Sequence, residues 1–281
     1  MRNLGSVPIF MLLAACAGTT DQTASGVDRM YVINCGENHA KDVSAWTPGV
    51  NVGKAHVFSN HCYLIRHARG WMLWDTGNAD RIAAMPNGLV NPRGTLTAFM
   101  KKPLAESLKE IGVAPGDIRH LALSHAHGDH SGNANLFTVA TLYVQRAEYQ
   151  AMFGAEPQKY GFVPANFDKL RGNTAMILDG DYDVFGDGAV VIKAAPGHTP
   201  GHQALMVRLP KTGPVILSGD MVHLQYSWSY RVVPSFNFDV QQSMSTIDRM
   251  KAFAQQSGAQ LWVNHDAESS AKIPKAPAFV Q

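Results

Sequence analysis

With 281 residues, 46% of them hydrophobic and 16% charged, the chain is long enough to bury one large core. The formal net charge is only +2 and no basic cluster is present, which argues against a nucleic-acid-binding role. No Pro/Ser/Gly-rich linker, charge run or internal repeat divides the chain after residue 27, so one domain is expected over residues 28–281.

In chain order, Met1-Arg2 is followed by a short apolar stretch from Val7 to Ala15. It is too short to span a bilayer as a helix and suits the apolar region of a signal peptide over residues 1–15. Leu13-Ala14-Ala15-Cys16 resembles a bacterial lipoprotein signal, in which cleavage leaves Cys16 carrying a lipid. Ala17 after it points, by the same resemblance, to the outer membrane. An ordinary secretory signal is the alternative, and both give an exported, periplasmic product. Residues 16–27 then read as a flexible tether. Cys35 and Cys62 remain in the domain; in an oxidising compartment they can pair, and two buried free thiols are the alternative.

Met30 to Cys35 predict a first strand ended by Gly36, followed by a polar loop over residues 37–60. Cys62 to His67 and Trp71 to Asp75 predict a hairpin, and residues 78–95 a second loop. Pro103 opens a helix with Leu104, Leu108 and Ile111 on one face and Gly112 as its stop. A strand over 120–124, another at Thr141 to Gln145 and a helix from Arg146 to Phe153 come next. Val190 to Ala194, Gln203 to Leu209 and Val215 to Ser218 are further strands. Asp239 caps a helix to about Gln256, whose stripe of Met244, Ile247, Met250 and Phe253 belongs in the core. Leu261 to Val263 is the last strand. Strands followed by helices in both halves predict an α/β architecture of two packed sheets with helices outside.

The chemistry concentrates in Leu123 to Asn133, which reads L-S-H-A-H-G-D-H-S-G-N. A strand ending in a tight turn lets His125 and His127 face one ion, while Asp129 and His130 swing round to a second position. A histidine-rich surface loop would not need four ligand-type residues in six positions at a strand end. His198, Asp220 and His265 each follow another apolar strand, where side chains are held rigidly. Seven groups suffice for two ions: His125, His127 and His198 for one, Asp129, His130 and His265 for the other, with Asp220 bridging. Imidazoles and carboxylates are the ligand set of zinc or a similar divalent metal.

H-A-H-G-D-H at 125–130, G-H-T-P-G-H at 197–202, S-G-D at 218–220 and N-H-D at 264–266 together resemble the metallo-β-lactamase superfamily. The resemblance runs from D-T-G at 75–77 to His265. It implies an αβ/βα four-layer sandwich with a dinuclear site at one edge of the sheets. Within the superfamily, C-Y-L-I at 62–65, G-H-T-P-G-H-Q at 197–203 and the closing H-D are most similar to the N-acyl-homoserine lactonases. That implies opening of the lactone ring of bacterial quorum-sensing signals by a metal-bridging hydroxide, with Zn(2+) as the expected ion and Asp129 carrying a proton to the leaving alkoxide. It also implies a tyrosine three residues after the bridging aspartate, where this chain has His223. His223 can donate a hydrogen bond or a proton, and Tyr226 and Tyr230 are the other candidates for that task.

His202 lies in the family motif but is no ligand there, and reads as structural. His39, His56, His61, His67 and His120 have no partner spacing and carry no assigned role. Tyr226, Trp228, Tyr230 and Phe236, with Phe238, either wall a groove for an acyl chain or pack against the sandwich. A glyoxalase-II-like thioester hydrolase and another ester or organophosphate hydrolase use the same ligands. A lipid-anchored binding protein is the alternative outside catalysis. Chelation separates it from the enzymes.

Overall fold

Apolar side chains alternate along the first long strand, and the two faces they create divide the molecule into layers. The structure is a computed structural model that describes Met1 and residues 26–281; the rest of the leader expected over 1–15, and Cys16 with nearly all of the tether, lie outside the described residues. The strands are β1 (Val27–Ala40), β2 (His56–His67), β3 (Gly70–Trp74), β4 (Leu89–Val90), β5 (Leu96–Phe99), β6 (Ile118–Ala122) and β7 (Thr141–Gln145). They continue as β8 (Ala175–Leu178), β9 (Tyr182–Asp183), β10 (Val190–Ala194), β11 (Gln203–Leu209), β12 (Gly213–Leu217) and β13 (Gln260–Trp262). The helices are α1 (Leu104–Ile111), α2 (Gly128–Ser131), α3 (Arg146–Phe153), α4 (Gln225–Tyr230), α5 (Val240–Ser257) and α6 (Ala267–Ser270). Eight strands pair in the order β4-β5-β1-β2-β3-β6-β7-β8, and five in the order β13-β12-β11-β10-β9.

Tyr31, Ile33 and Cys35 face one way with Leu64, Leu73, Leu121 and Leu142, against Leu104 and Leu108 of α1 and Met152 of α3. Met30 and Val32 face the other way with Ile65, Met72 and Trp74, against Ile192, Leu205, Val207 and Leu217 of the second sheet. The far face of that sheet, through Ala204 and Ile216, meets Ile247 and Met250 of α5. Helices, sheet, sheet and helices form the expected αβ/βα sandwich. Burying both faces of both sheets explains why β11 is apolar along nearly its whole length.

Two boundaries differ from the sequence expectation. β1 does not stop at Gly36 but runs on to Ala40, because Glu37 to Ala40 pair with both β2 and β5. The register with β2 shifts between Asn34 and Glu37, and Gly36 sits there at φ +122, where a Cβ would collide with Asn78 Nδ2. The loop expected over 37–60 therefore shrinks to residues 41–55. Pro103 is the N-cap of α1 rather than its first residue, and Gly112 ends the helix in the left-handed region as expected. Asp239 caps α5 by accepting from Gln242 N at 2.9 Å, and Gly258 closes it. Cys35 and Cys62, on adjacent strands, are joined by a disulfide.

Candidate metal centre

The sandwich brings the ends of β3, β6, β10, β12 and β13 to one edge, and each is followed within eight residues by a polar side chain of the site. β6 delivers His125 and His127, after which α2 makes a single turn carrying Asp129 and His130. β10 leads to His198, β12 to Asp220 and β13 to His265. The segment after β3 holds the turn in place: Thr76 N donates to His130 O at 2.7 Å and Gly132 N to Gly77 O at 2.9 Å. One group of possible ligands is His125, His127, His198 and Asp220; a second is Asp129, His130 and His265, and within each group the ligand atoms lie within 4.8 Å of one another.

The outer nitrogens of the histidines fix which way the inner ones point. His127 Nε2 donates to Tyr160 O at 2.8 Å, and His198 Nδ1 to Asn237 Oδ1 at 2.9 Å. His265 Nδ1 donates to Ser59 O at 2.7 Å, and His130 Nδ1 meets Asp75 Oδ2 at 2.9 Å. Each neutral ring then presents a lone pair inward. Those inner nitrogens converge: His127 Nδ1 is 2.8 Å from His125 Nε2 and 3.0 Å from His198 Nε2, and His130 Nε2 is 3.3 Å from His265 Nε2. Lone pairs at such distances repel unless a cation lies among them. Asp220 adds the same demand. Its buried Oδ1 is 3.0 Å from His130 Nε2 and 2.9 Å from His265 Nε2, yet it makes no aligned hydrogen bond. Its Oδ2 faces the first group, 3.3 Å from His198 Nε2. The residues fit two divalent cations, with Asp220 between the groups.

The electrostatics point the same way. Burial pulls the pKa values of His125 and His198 well below the ordinary range, which keeps both neutral and ligand-ready. At His130 burial opposes charge, but the carboxylates of Asp220, Asp75 and Asp129 outweigh it and raise its pKa well above the ordinary value. Asp220 is also buried, yet the surrounding imidazoles, His265 and His130 first among them, hold it well below the carboxylate range. Positive charge belongs here.

Several supports were not singled out in the sequence. Asp75, just after β3, has φ +59 and is buried; its Oδ1 accepts from Ser124 N at 2.6 Å while Oδ2 orients His130. Asn38 Nδ2 donates to Asp129 Oδ2 at 2.8 Å, and Asn60 Nδ2 to Asp129 O at 2.7 Å. Asn237 orients His198 and Ser59 orients His265. Most of these are amides or backbone carbonyls from distant strands and loops, which carry no spacing signal. Asp75 did have one, in the D-T-G that closes β3.

His223 is buried, with Nε2 3.0 Å from Asp220 Oδ2 and its ring stacked on His265 at 5.6 Å between centroids. His202, whose sequence reading was structural, donates Nδ1 to Ala195 O at 3.0 Å and accepts from Asp220 N at 2.9 Å. A cavity of about 550 Å³ reaches Asp129, Asp220 and His223 and is walled by Trp46, Ile82, Val90 and Phe236. A second, of about 620 Å³, adjoins it past His127 and His198 and is lined by Arg93, Tyr160, Phe162 and Phe238. Of the expected aromatic wall, Phe236 and Phe238 are therefore at the site and three others are not. Tyr226 and Tyr230 lie beside each other on the exposed side of α4, their tilted rings 4.5 Å apart between centroids, and Trp228 packs toward α5. The cause is local: α4 starts directly after Leu224 and turns buried Ser227 inward, which sends the aromatics away from the metal ligands.

Comparison with known proteins adds four findings. Residues 56–254 match the metallo-beta-lactamase superfamily. The chain is 31% identical over 229 residues to N-acyl homoserine lactonase AttM of Azorhizobium caulinodans, covering 77% of this chain and 85% of that one. It is 29% identical over 268 residues to N-acyl homoserine lactonase AiiA of Bacillus thuringiensis subsp. kurstaki, covering 90% and 99%. Among solved structures, an N-acyl homoserine lactone hydrolase with N-hexanoyl-L-homoserine bound at its catalytic metal centre matches 91% of this chain and 100% of its own, with a TM-score of 0.80 and 27% identity.

Proposed function

The chain belongs to the metallo-beta-lactamase superfamily, and from that premise we propose that it is a metal-dependent hydrolase that opens the lactone ring of N-acyl-homoserine lactones. The observation that carries the reading is the convergence of five imidazoles and two carboxylates, all but His127 and Asp129 buried, at the end of one cavity, in a chain whose relatives are named for that reaction. Two ions are the reading that best suits the ligands: His125, His127 and His198 for one, Asp129, His130 and His265 for the other, and Asp220 for both. Zinc is the first choice, from the nitrogen and oxygen ligands. Bound there, the ions would lower the pKa of a bound water toward ~7 and polarise an ester carbonyl.

The chain's own residues supply the rest. Asp129 is the proton carrier in this reading. Its side chain is 24% exposed, so it reaches the cavity, and Asn38 holds its Oδ2, which leaves Oδ1 to take up a proton and pass it to the leaving alkoxide. His223 lies against Asp220 rather than among the cavity's apolar walls. We assign it first to orienting Asp220, with donation to the substrate carbonyl as its second possible task. Trp46, Ile82, Val90 and Phe236 offer the acyl chain an apolar wall.

The test is a panel of homoserine lactones with short and long acyl chains, run beside a thioester and an organophosphate. Lactone turnover well above the other two classes supports the reading; a thioester hydrolysed while no lactone is opened overturns it. We further propose export, with Cys16 lipidated in the outer membrane. The L-A-A-C segment supports this, as does the Cys35–Cys62 disulfide, which suits an oxidising compartment. Radiolabelled palmitate incorporation that is lost in Cys16→Ser is the expected outcome; equal labelling of both, or of neither, contradicts it.

A further inference from the structure

Glu148 lies on α3, apart from every ligand, and is buried with 2% of its surface exposed. Among the described residues no lysine, arginine or histidine pairs with its carboxylate. An unpaired buried carboxylate is costly unless its oxygens are hydrogen-bonded. Here they are. Oε1 accepts from Ala126 N at 3.0 Å, and Oε2 from Thr199 Oγ1 at 2.8 Å and Gly201 N at 2.9 Å.

The donors are informative. Ala126 lies between His125 and His127, and Thr199 follows His198 directly. The first loop leaves the eight-stranded sheet and the second the five-stranded one. Among the described residues, Glu148 is thus the single side chain that bonds both loops supplying His125, His127 and His198. The approach is tight as well: a Cβ on Gly201 would collide with the backbone nitrogen of Glu148. The second group of ligands has different supports, namely Asn38 on Asp129, Asp75 on His130 and Ser59 on His265.

We propose that Glu148 is a positioning residue that clamps the two loops across the sandwich and so sets the affinity of one metal position, that of His125, His127 and His198, with little effect on the other. The inference rests on the two-position reading of the metal centre. A carboxylate is needed because all three partners are donors and neither oxygen has to donate in return. Glutamine would turn an amide N–H toward Ala126 N–H or toward the Thr199 and Gly201 donors, so one loop would be released.

The experiment is metal stoichiometry of Glu148→Gln and wild type, zinc-loaded and equilibrated against a graded series of chelators, with elemental analysis and thermal melting of the metal-free forms alongside. Expected is a split titration: one ion lost from the variant at a 10–100-fold higher free zinc level than in wild type, the range typical of lost support around a ligand, and the second retained as in wild type. Thr199→Val, which removes one bond only, should show the same split at smaller size and serves if Glu148→Gln does not fold. Both ions weakened equally, with a matching drop in the metal-free melting temperature, means a structural anchor of α3 and overturns the proposal. So does an unchanged titration. Wild type that binds no zinc at all overturns the metal reading itself, which is a separate outcome.

Discussion

At the scale of single residues, the centre is built from pairs in which one partner binds and the other aims it. Asn38 illustrates the second kind. Its Oδ1 accepts from Asn78 Nδ2 at 3.2 Å while its Nδ2 donates to Asp129, so the amide is held from behind and its flip state is fixed. Asn38→Ala frees Asp129 Oδ2, and we expect kcat for lactone opening to fall by roughly tenfold or more while the thermal midpoint of the folded protein moves little. A lowered kcat with unchanged KM would fit; an unchanged kcat would remove the aiming role. The histidines also set a pH limit. Burial first of all lowers the pKa values of His61 and His202 to about 3. Both are therefore neutral when folded and take up a proton on unfolding once the pH drops below about 6.5. The unfolded state binds more protons in that window, so stability is full above pH 6.5 and declines as the pH falls toward 3. Each residue contributes a slope of at most about 1.4 kcal/mol per pH unit. Denaturant unfolding of metal-free His61→Gln should show a shallower decline between pH 6.5 and 4 than wild type; parallel curves would contradict the assignment.

The elements differ in how clearly the sequence announced them. Strands β7, β10 and β11, helix α3 and the capped helix α5 carry their own signals, apolar runs or an Asp cap and a Gly stop, and their bounds match the reading closely. The second half of β1 did not announce itself, because Glu37, Asn38 and His39 are polar and Gly36 looks like a stop. Pairing on both sides makes it a strand, and sequence alone does not display partners 20 or 60 residues away. The seven candidate ligands, which the fold brings together, stood out in the sequence because metal binding needs particular side chains at strand ends; their supports did not, since an amide or a carbonyl can serve from anywhere. The aromatics of α4 had two readings, a groove wall or packing, for the opposite reason. Their composition suits a groove, but helix geometry decides which side faces it. That difference is testable: Phe236→Ala should raise KM for long-chain lactones several-fold, whereas Tyr230→Ala, on the exposed side of α4, should leave it unchanged. Equal effects would place the acyl chain elsewhere. Gly132 marks a close approach of elements, since a Cβ there would collide with Gly77 O and Ala79 N. Gly132→Ala should therefore lower stability by on the order of 1–3 kcal/mol, read as a fall in the thermal midpoint, and a midpoint equal to wild type would contradict the close packing.

For the whole molecule, two sheets buried on both faces provide a rigid frame whose strand ends meet along one edge, and the frame accounts for a site assembled from residues as far apart as 75 and 265. Ligands from both sheets, His125 and His127 on one side and His198, Asp220 and His265 on the other, converge only if the sandwich is intact, so metal binding and folding should stabilise each other. The central claim is that this convergence exists to hold metal for lactone hydrolysis. The most direct measurement is proton release from an N-acyl-homoserine lactone by one protein preparation in three states: as zinc-loaded, after chelation to verified metal depletion, and after zinc is returned. The account predicts turnover that disappears on depletion and returns as zinc approaches two ions per chain. Undiminished lactone opening by protein shown to be metal-free would contradict it.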